Sequence, residues 1–203
     1  MVRLVLLVGC FTTSVTLAVA PLLAAGAVGP NVRVSAVTGS TGSGREPKPA
    51  THHPDRHGNV RAYNPLRHRH ADEMSALLGR VAGAEIDVQF VPHSGNFARG
   101  ILSTIFLDAQ TSASEEELIQ MVNDMYAPRG GFVTASAAMP SVKDVVGTNQ
   151  VRVGVVREGD QIVLTSALDN LTKGASGGAM QWMNRLAGLD DTTGLKSPGW
   201  GWN

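Results

Sequence analysis

Gly9-Cys10-Phe11-Thr12-Thr13 is the stretch on which the fold turns. Ahead of it, Val2 to Val8 is, Arg3 apart, a β-branched and leucine run suited to a buried strand. After it, Val15, Val19, Leu22 and Leu23 recur at helical spacing, with Thr12, Thr13 and Ser14 as cap candidates and Gly26 and Gly29 as stops. The pattern predicts strand, turn, helix, with Cys10 at the turn. A thiol placed there meets free backbone N–H groups and the positive end of a helix dipole, both of which favour the thiolate. The bland alternative is a small buried hydrophobe, but a place after a strand and before two threonines favours a nucleophile.

Outward from that unit, Val32 to Val37 alternates as a strand and runs into the small-residue loop Thr38 to Gly44. Glu46 to Asn59 is irregular, and Ala71 to Val81 is a helix with Met74, Leu77, Leu78 and Val81 on one face. Strands are predicted at Glu85 to Val91 and Gly100 to Leu107. A helix follows Ser114-Glu115-Glu116-Glu117, a cap with acids in the first turn, and turns Leu118, Met121, Val122 and Met125 inward. Phe132 to Ala135, Gln150 to Val156 and Gln161 to Leu168 read as strands, the last two joined as a hairpin through Arg157 to Asp160, and a final helix spans Gly177 to Leu186. Strands outnumber helices and only the opening unit is βαβ-like. The expected class is therefore α+β, with a mixed, largely antiparallel sheet covered by helices.

A chain of 203 residues, 43% hydrophobic, has enough apolar mass for one proper core. Lys plus Arg equals Asp plus Glu at 17 each, so no overall field draws it to nucleic acid or an anionic membrane. One cysteine rules out an internal disulfide and fits a reducing, cytoplasmic setting. Residues 1–29 nevertheless imitate a leader, with Arg3, an apolar run and a small-residue end, and Leu7-Val8-Gly9-Cys10 looks like a lipoprotein cleavage box. An exported lipoprotein or secreted binding domain is thus a second reading, although Thr12, Thr13, Ser14 and Thr16 interrupt the apolar stretch.

Five of the six histidines, His52, His53, His57, His68 and His70, fall in one segment. That density raises zinc, but Arg67 and Arg69 flank the His68 and His70 pair and would repel a divalent cation, so no metal is expected. The same arginines suit an anion or a solvated basic loop. Asp169 to Gly178 leads from a strand end through small residues into a helix, a geometry open to a phosphate, to a cofactor or to plain helix capping.

Gly9 to Thr13, Tyr63 to Glu73 with its His68-Arg69-His70 core, Arg99 to Leu102, Gly147-Thr148-Asn149, Asp169-Asn170-Leu171-Thr172-Lys173-Gly174 and Asp191 to Leu195 occur in one order. In that order the chain resembles the N-acetyl-gamma-glutamyl-phosphate reductase family, within the aspartate-semialdehyde dehydrogenase-like group. The resemblance implies NADP(H)-dependent reduction of an acyl phosphate in arginine biosynthesis. Cys10 would be the thioester-forming nucleophile and His68 the acid/base residue, and Tyr63, Arg67, Arg69, His70 and Arg99 would bind substrate. Ser40, Gly42, Gly44, Asn170 and Lys173 would border the cofactor. Family members begin with a glycine-rich nucleotide-binding domain, which is not seen before Cys10. Residues 1–203 would then be the catalytic and dimerisation domain of the semialdehyde dehydrogenase type, like that of glyceraldehyde-3-phosphate dehydrogenase, without the Rossmann domain. It would carry an active-site loop at 39–59 and a tail at 189–203, and form a homo-oligomer. Pro92 to Phe97 departs from the family's apolar block, and Gly178 stands where glutamine is usual. Thr51-His52-His53-Pro54 is similar to relatives whose substrates ride on an amino-group carrier protein, which leaves the acyl donor open.

Overall fold

The computed structural model describes residues 5–199. Its elements are α1 (Cys10–Ala24), β1 (Val28–Thr38), α2 (His53–Arg56), β2 (Arg61–Ala62), α3 (His70–Ala82), β3 (Asp87–Ser94), β4 (Ile101–Ala109), α4 (Glu115–Tyr126), β5 (Val133–Ser136), β6 (Val151–Glu158), β7 (Gln161–Leu168) and α5 (Gly177–Leu186). The strands form one seven-stranded sheet in the order β2-β3-β1-β4-β7-β6-β5. Only β1 with β3 and β5 with β6 run parallel. The other four pairings are antiparallel, as the sequence pattern predicts.

Alternation along the strands sets the two faces. Val32, Val34 and Ala36 of β1, Ile101, Ile105 and Leu107 of β4, and Ile162, Leu164 and Leu168 of β7 all point into the core. Over that face lie α1, α3 and α4, and α1 packs against both other helices and against β1, β4 and β7. The opposite face is largely open and exposes Arg33 and Ser35, with Phe106 at 43% and Val156 at 39%.

Helix α1 is buried on more than one side, through Phe11, Val15, Ala18, Val19 and Leu22. Residues 10–24 thus belong to the folded body. Among the described residues no helix is long and apolar enough to cross a membrane. The strand expected over Val2 to Val8 does not form in its described part: residues 5–9 pair with no strand, and Leu6 and Leu7 are 82% and 50% exposed. A β-branched run forms a strand only where it finds a pairing partner, and composition alone does not supply one. Residues 2–4 of that run lie outside the described residues.

Thr12, Thr13 and Ser14, read as cap candidates, lie inside α1, whose N-cap is Gly9, and Val81 of α3 is exposed, whereas the start of α4 forms as read. Ser114 accepts from the Glu117 amide at 3.3 Å while the Glu117 carboxylate accepts from the Ser114 amide at 2.7 Å, a reciprocal capping box that starts α4. Leu118 and Val122 are buried, whereas Met121 and Met125 are half-buried at the edge of the core. Asn123 then ties α4 to the sheet through both the amide and the carbonyl of Ala135. The described part of the tail is strapped to α5, where the Asn184 carboxamide donates to the carbonyls of Asp191 and Thr193.

Candidate active site

Cys10 is the first residue of α1, and Gly9 before it is the N-cap. Three elements converge on this turn. From one side comes the π-helical turn Thr172–Ser176, where a β-carbon on Gly174 would lie 2.6 Å from Cβ of Cys10. Only glycine lets the two backbones approach this closely. From another side comes the loop Tyr63 to Arg69, whose Asn64 and Leu66 both sit in the left-handed region at φ 45° and 59°. It is held there by Tyr63 N–H to the Pro92 carbonyl at 3.0 Å and Leu66 N–H to the Phe90 carbonyl at 2.9 Å. Non-glycine residues in that region cost energy and persist where the surroundings enforce them. The third element is the first turn of α3.

His68 stands in a knot of rings. Its centroid is 6.0 Å from Phe11, 5.6 Å from Tyr63, 5.5 Å from Phe90 and 4.6 Å from His70, all edge-on. The backbone N–H of His70 donates to Nδ1 of His68 at 3.2 Å. A backbone amide can only donate, so Nδ1 carries the lone pair and the neutral ring keeps its proton on Nε2. His70 is only 6% exposed, packs against Gly9, and its Nδ1 has no hydrogen-bond partner among the described residues.

The electrostatics depart from the sequence expectation. Burial, the largest influence, pushes the Cys10 thiol up; the backbone N–H groups of Phe11 and Cys10 and the charge of Arg69 pull the other way, and Glu73 adds to the rise. The helix terminus does favour the thiolate, but desolvation outweighs it. Burial likewise lowers His68, with Arg69 helping and Glu73 opposing, so it falls below the near-neutral value expected for it. Burial and the neighbouring His68 bring His70 down to about 4. Tyr63 is pushed up to about 12 by burial and by Cys10. At neutral pH the site therefore holds a thiol and two uncharged imidazoles.

Of the residues singled out by sequence, Cys10, His68, Tyr63 and His70 share one cluster, and Arg69 bears on it electrostatically. Arg67 is exposed on the same loop. Arg99 is engaged with buried Asp169 at 2.9 Å and with the Thr172 hydroxyl at 2.9 Å. Two residues the motifs contained without a role emerge here. Asp169 also accepts from the amides of Gly147, Leu171 and Thr172, at 2.7, 2.8 and 3.0 Å, and so organises the turn that presses on Cys10. Glu73 accepts from Gly9 and Thr12. Its spacing of three from His70 on a helix was the available signal.

Of the residues expected at the cofactor, Asn170 is buried and joins two loops: Oδ1 accepts from Gly100 N–H at 2.7 Å and Nδ2 donates to the Thr41 hydroxyl at 3.0 Å. The Lys173 ammonium donates to Gln181 at 2.7 Å and lies 5.2 Å over the Phe132 ring, with burial lowering it to about 8. The turn Ser40–Ser43, followed by Gly44, is fastened to the carbonyls of Phe97 and Ala98. An apolar cavity of about 360 Å³ is lined by Thr13, Leu17, Phe132, Lys173 and Trp182 rather than by Cys10, His68 or Tyr63.

The model of the semialdehyde dehydrogenase dimerisation domain matches residues 10–170. The chain belongs to this family. Curated relatives agree: it is 41% identical over 196 residues to N-acetyl-gamma-glutamyl-phosphate reductase of Desulforudis audaxviator, a match covering 94% of this chain and 56% of the relative. The same enzyme of Rhodopirellula baltica is 39% identical over 193 residues, covering 92% and 56%. The chain thus spans a little over half the length of these relatives. Among solved structures, aspartate semialdehyde dehydrogenase II from Vibrio cholerae superposes with a TM-score of 0.70 at 18% identity, covering 89% of this chain and 61% of that one, and it shows the same fold.

Proposed function

We propose that this domain carries the acyl-transfer half of an N-acetyl-gamma-glutamyl-phosphate reductase. The observation that carries the reading is Cys10 at the N-terminus of α1, gathered with Tyr63, His68 and His70 in one half-buried cluster. The sulfur attacks the carbonyl carbon of the acyl phosphate, the carbon–oxygen bond to phosphorus breaks, and phosphate leaves with the bonding pair. The thiol proton ends on the departing phosphate, so the step needs no other reactant. His68, with its proton on Nε2, is set to donate to the oxygen that gains charge in the tetrahedral intermediate. Arg67 and Arg69 supply positive charge for the phosphoryl group, and Arg99, held by Asp169, braces the turn behind Cys10.

The reductant implied by the resemblance is NADP(H), which Ser40, Gly42, Gly44, Asn170 and Lys173 would border. The carrier-linked alternative gains nothing from relatives whose names specify the acetylglutamyl substrate. The open sheet face, with Phe106 and Val156 exposed, is where a second copy would pack, in keeping with a dimerisation domain. A reducing cytoplasm suits a site whose only cysteine must stay free.

The test is a single turnover without reductant. Mixed with N-acetyl-gamma-glutamyl phosphate, the chain is expected to release close to one phosphate per Cys10 and to gain one acyl group by intact mass, and Cys10→Ser to do neither. Phosphate release unaltered in Cys10→Ser would end this reading.

A further inference from the structure

The first turn of α3 grips Gly9 from two directions. Glu73 accepts hydrogen bonds from the Gly9 backbone N–H at 2.9 Å and from the Thr12 hydroxyl at 2.7 Å, so its carboxylate straddles Cys10. His70, one turn earlier on the same face of α3, packs its ring so tightly on Gly9 that Nε2 would overlap any β-carbon placed there. Gly9 is the N-cap of α1 but has no side chain with which to cap it. The side-chain oxygen at this terminus instead comes from 64 positions along the chain.

We propose that Glu73 is a positioning residue, whose carboxylate fixes the turn presenting Cys10 against the helix that follows His68 and begins at His70. The inference rests on reading Cys10 as the nucleophile and adds a residue to which acyl transfer itself gives no task. It has a mechanical side and an electrostatic side. Removing the carboxylate takes the acceptor from Gly9 and Thr12 and frees the start of α1. Removing only its charge leaves an oxygen for those donors and relieves the thiolate of a nearby negative group. Arg69 opposes Glu73 at the sulfur, Tyr63 contributes an un-ionised phenol, His68 and His70 are neutral, and the π-helical turn presents Gly174, which has no charge. Glu73 itself stays ionised: desolvation pushes its carboxyl up, but the Gly9 amide, the Thr12 hydroxyl, His70 and Arg69 together hold it below its ordinary value.

Because Cys10 is the only cysteine, alkylation of the whole chain reports it directly. Iodoacetamide labelling is followed by intact mass from pH 6 to 10 for the unsubstituted chain, Glu73→Gln and Glu73→Ala, together with amide hydrogen exchange over residues 9–13. In Glu73→Gln the midpoint of the labelling profile is expected to fall by about half a pH unit or more, roughly a threefold gain in thiolate below the midpoint. In Glu73→Ala, exchange over residues 9–13 is expected to quicken at least tenfold. The midpoint, not the rate at one pH, is the readout, because a lower thiol pKa also makes a weaker nucleophile. A residue that served packing alone would not move it. An unshifted midpoint in Glu73→Gln, or unchanged exchange in Glu73→Ala, overturns the proposal, and if Glu73→Ala fails to fold, Glu73→Gln decides alone. A chain that forms no acyl-enzyme while both Glu73 readouts shift would sink the nucleophile reading and leave this positioning role standing.

Discussion

Three serines join α1 to the sheet beneath the active site, and all three are fully buried. Ser166 Oγ donates to the Ser14 carbonyl at 3.0 Å, and Ser14 Oγ donates to Ser166 Oγ at 3.1 Å. The only proton of Ser14 is then used, so the 2.9 Å contact with Ser103 must have Ser103 as donor. Ser14→Ala leaves the Ser103 hydroxyl without an acceptor in a site closed to water. An orphaned buried donor costs about 1–3 kcal/mol, while alanine returns roughly 0.5 kcal/mol of helix propensity. The expected loss is about 1–2 kcal/mol, or a Tm lower by about 2–8 °C for a chain of this size. Urea unfolding with an unchanged m-value would measure it. Removing both ends of the broken bond tests the reasoning more sharply. Ser14→Ala with Ser103→Ala should cost clearly less than the sum of the two single changes, because no orphan remains. Strict additivity in that cycle, or a neutral Ser14→Ala, would refute the proton assignment.

Two further outcomes follow from buried charge. Asp169 is fully buried and holds Arg99 and three backbone amides, so Asp169→Asn, which removes the charge and turns a donor toward donors, is expected to cost about 3 kcal/mol or more by thermal unfolding. His70 titrates at about 4 in the folded chain against 6.5 in the unfolded one. The unfolded state therefore binds more protons between those values, and stability falls as pH drops, by up to about 1.4 kcal/mol per unit. Glu73 adds its own loss only below its ordinary value of 4.5, so pH 4.5 to 6.5 isolates the imidazoles. Unfolding midpoints across that window should flatten in His70→Gln, and an unaltered slope would show that His70 is not the group responsible.

What the sequence made legible was whatever depends on neighbours along the chain. Alternation located β1, apolar runs bounded by turn residues located β4, β6 and β7, and the Ser114 to Glu117 box located the start of α4, because strand pattern and capping are local properties. The opening run read as a strand by composition, but composition does not supply a partner, and Leu6 and Leu7 lie exposed. Cys10 and His68 were legible as reactive types in recognisable motifs. Their protonation was not: the helix terminus could be inferred from Gly9 to Thr13, whereas the burial that outweighs it comes from Gly174 and α3, far away in the chain. Asn170 and Lys173 were legible only as members of a motif, since their partners Gly100, Thr41 and Gln181 are brought to them by the fold.

An uncharged thiol beside uncharged imidazoles fits the chemistry proposed for it. A resting thiolate–imidazolium pair in this half-buried cluster would have to recover the desolvation of two ions, which close geometry only partly repays. An acyl phosphate is already activated, so the sulfur needs full thiolate character only as the carbon–sulfur bond forms. In the proposed reaction the incoming phosphoryl oxygens would provide a base at that moment. Arg69, one of the two loop arginines that would attract the phosphate, is also a charge that eases ionisation of the thiol. Substrate charge and nucleophile charge are thus coupled through one loop, whose strained Asn64 and Leu66 keep it in place before substrate arrives. A site built this way resists oxidation while idle, since the thiolate is the vulnerable form.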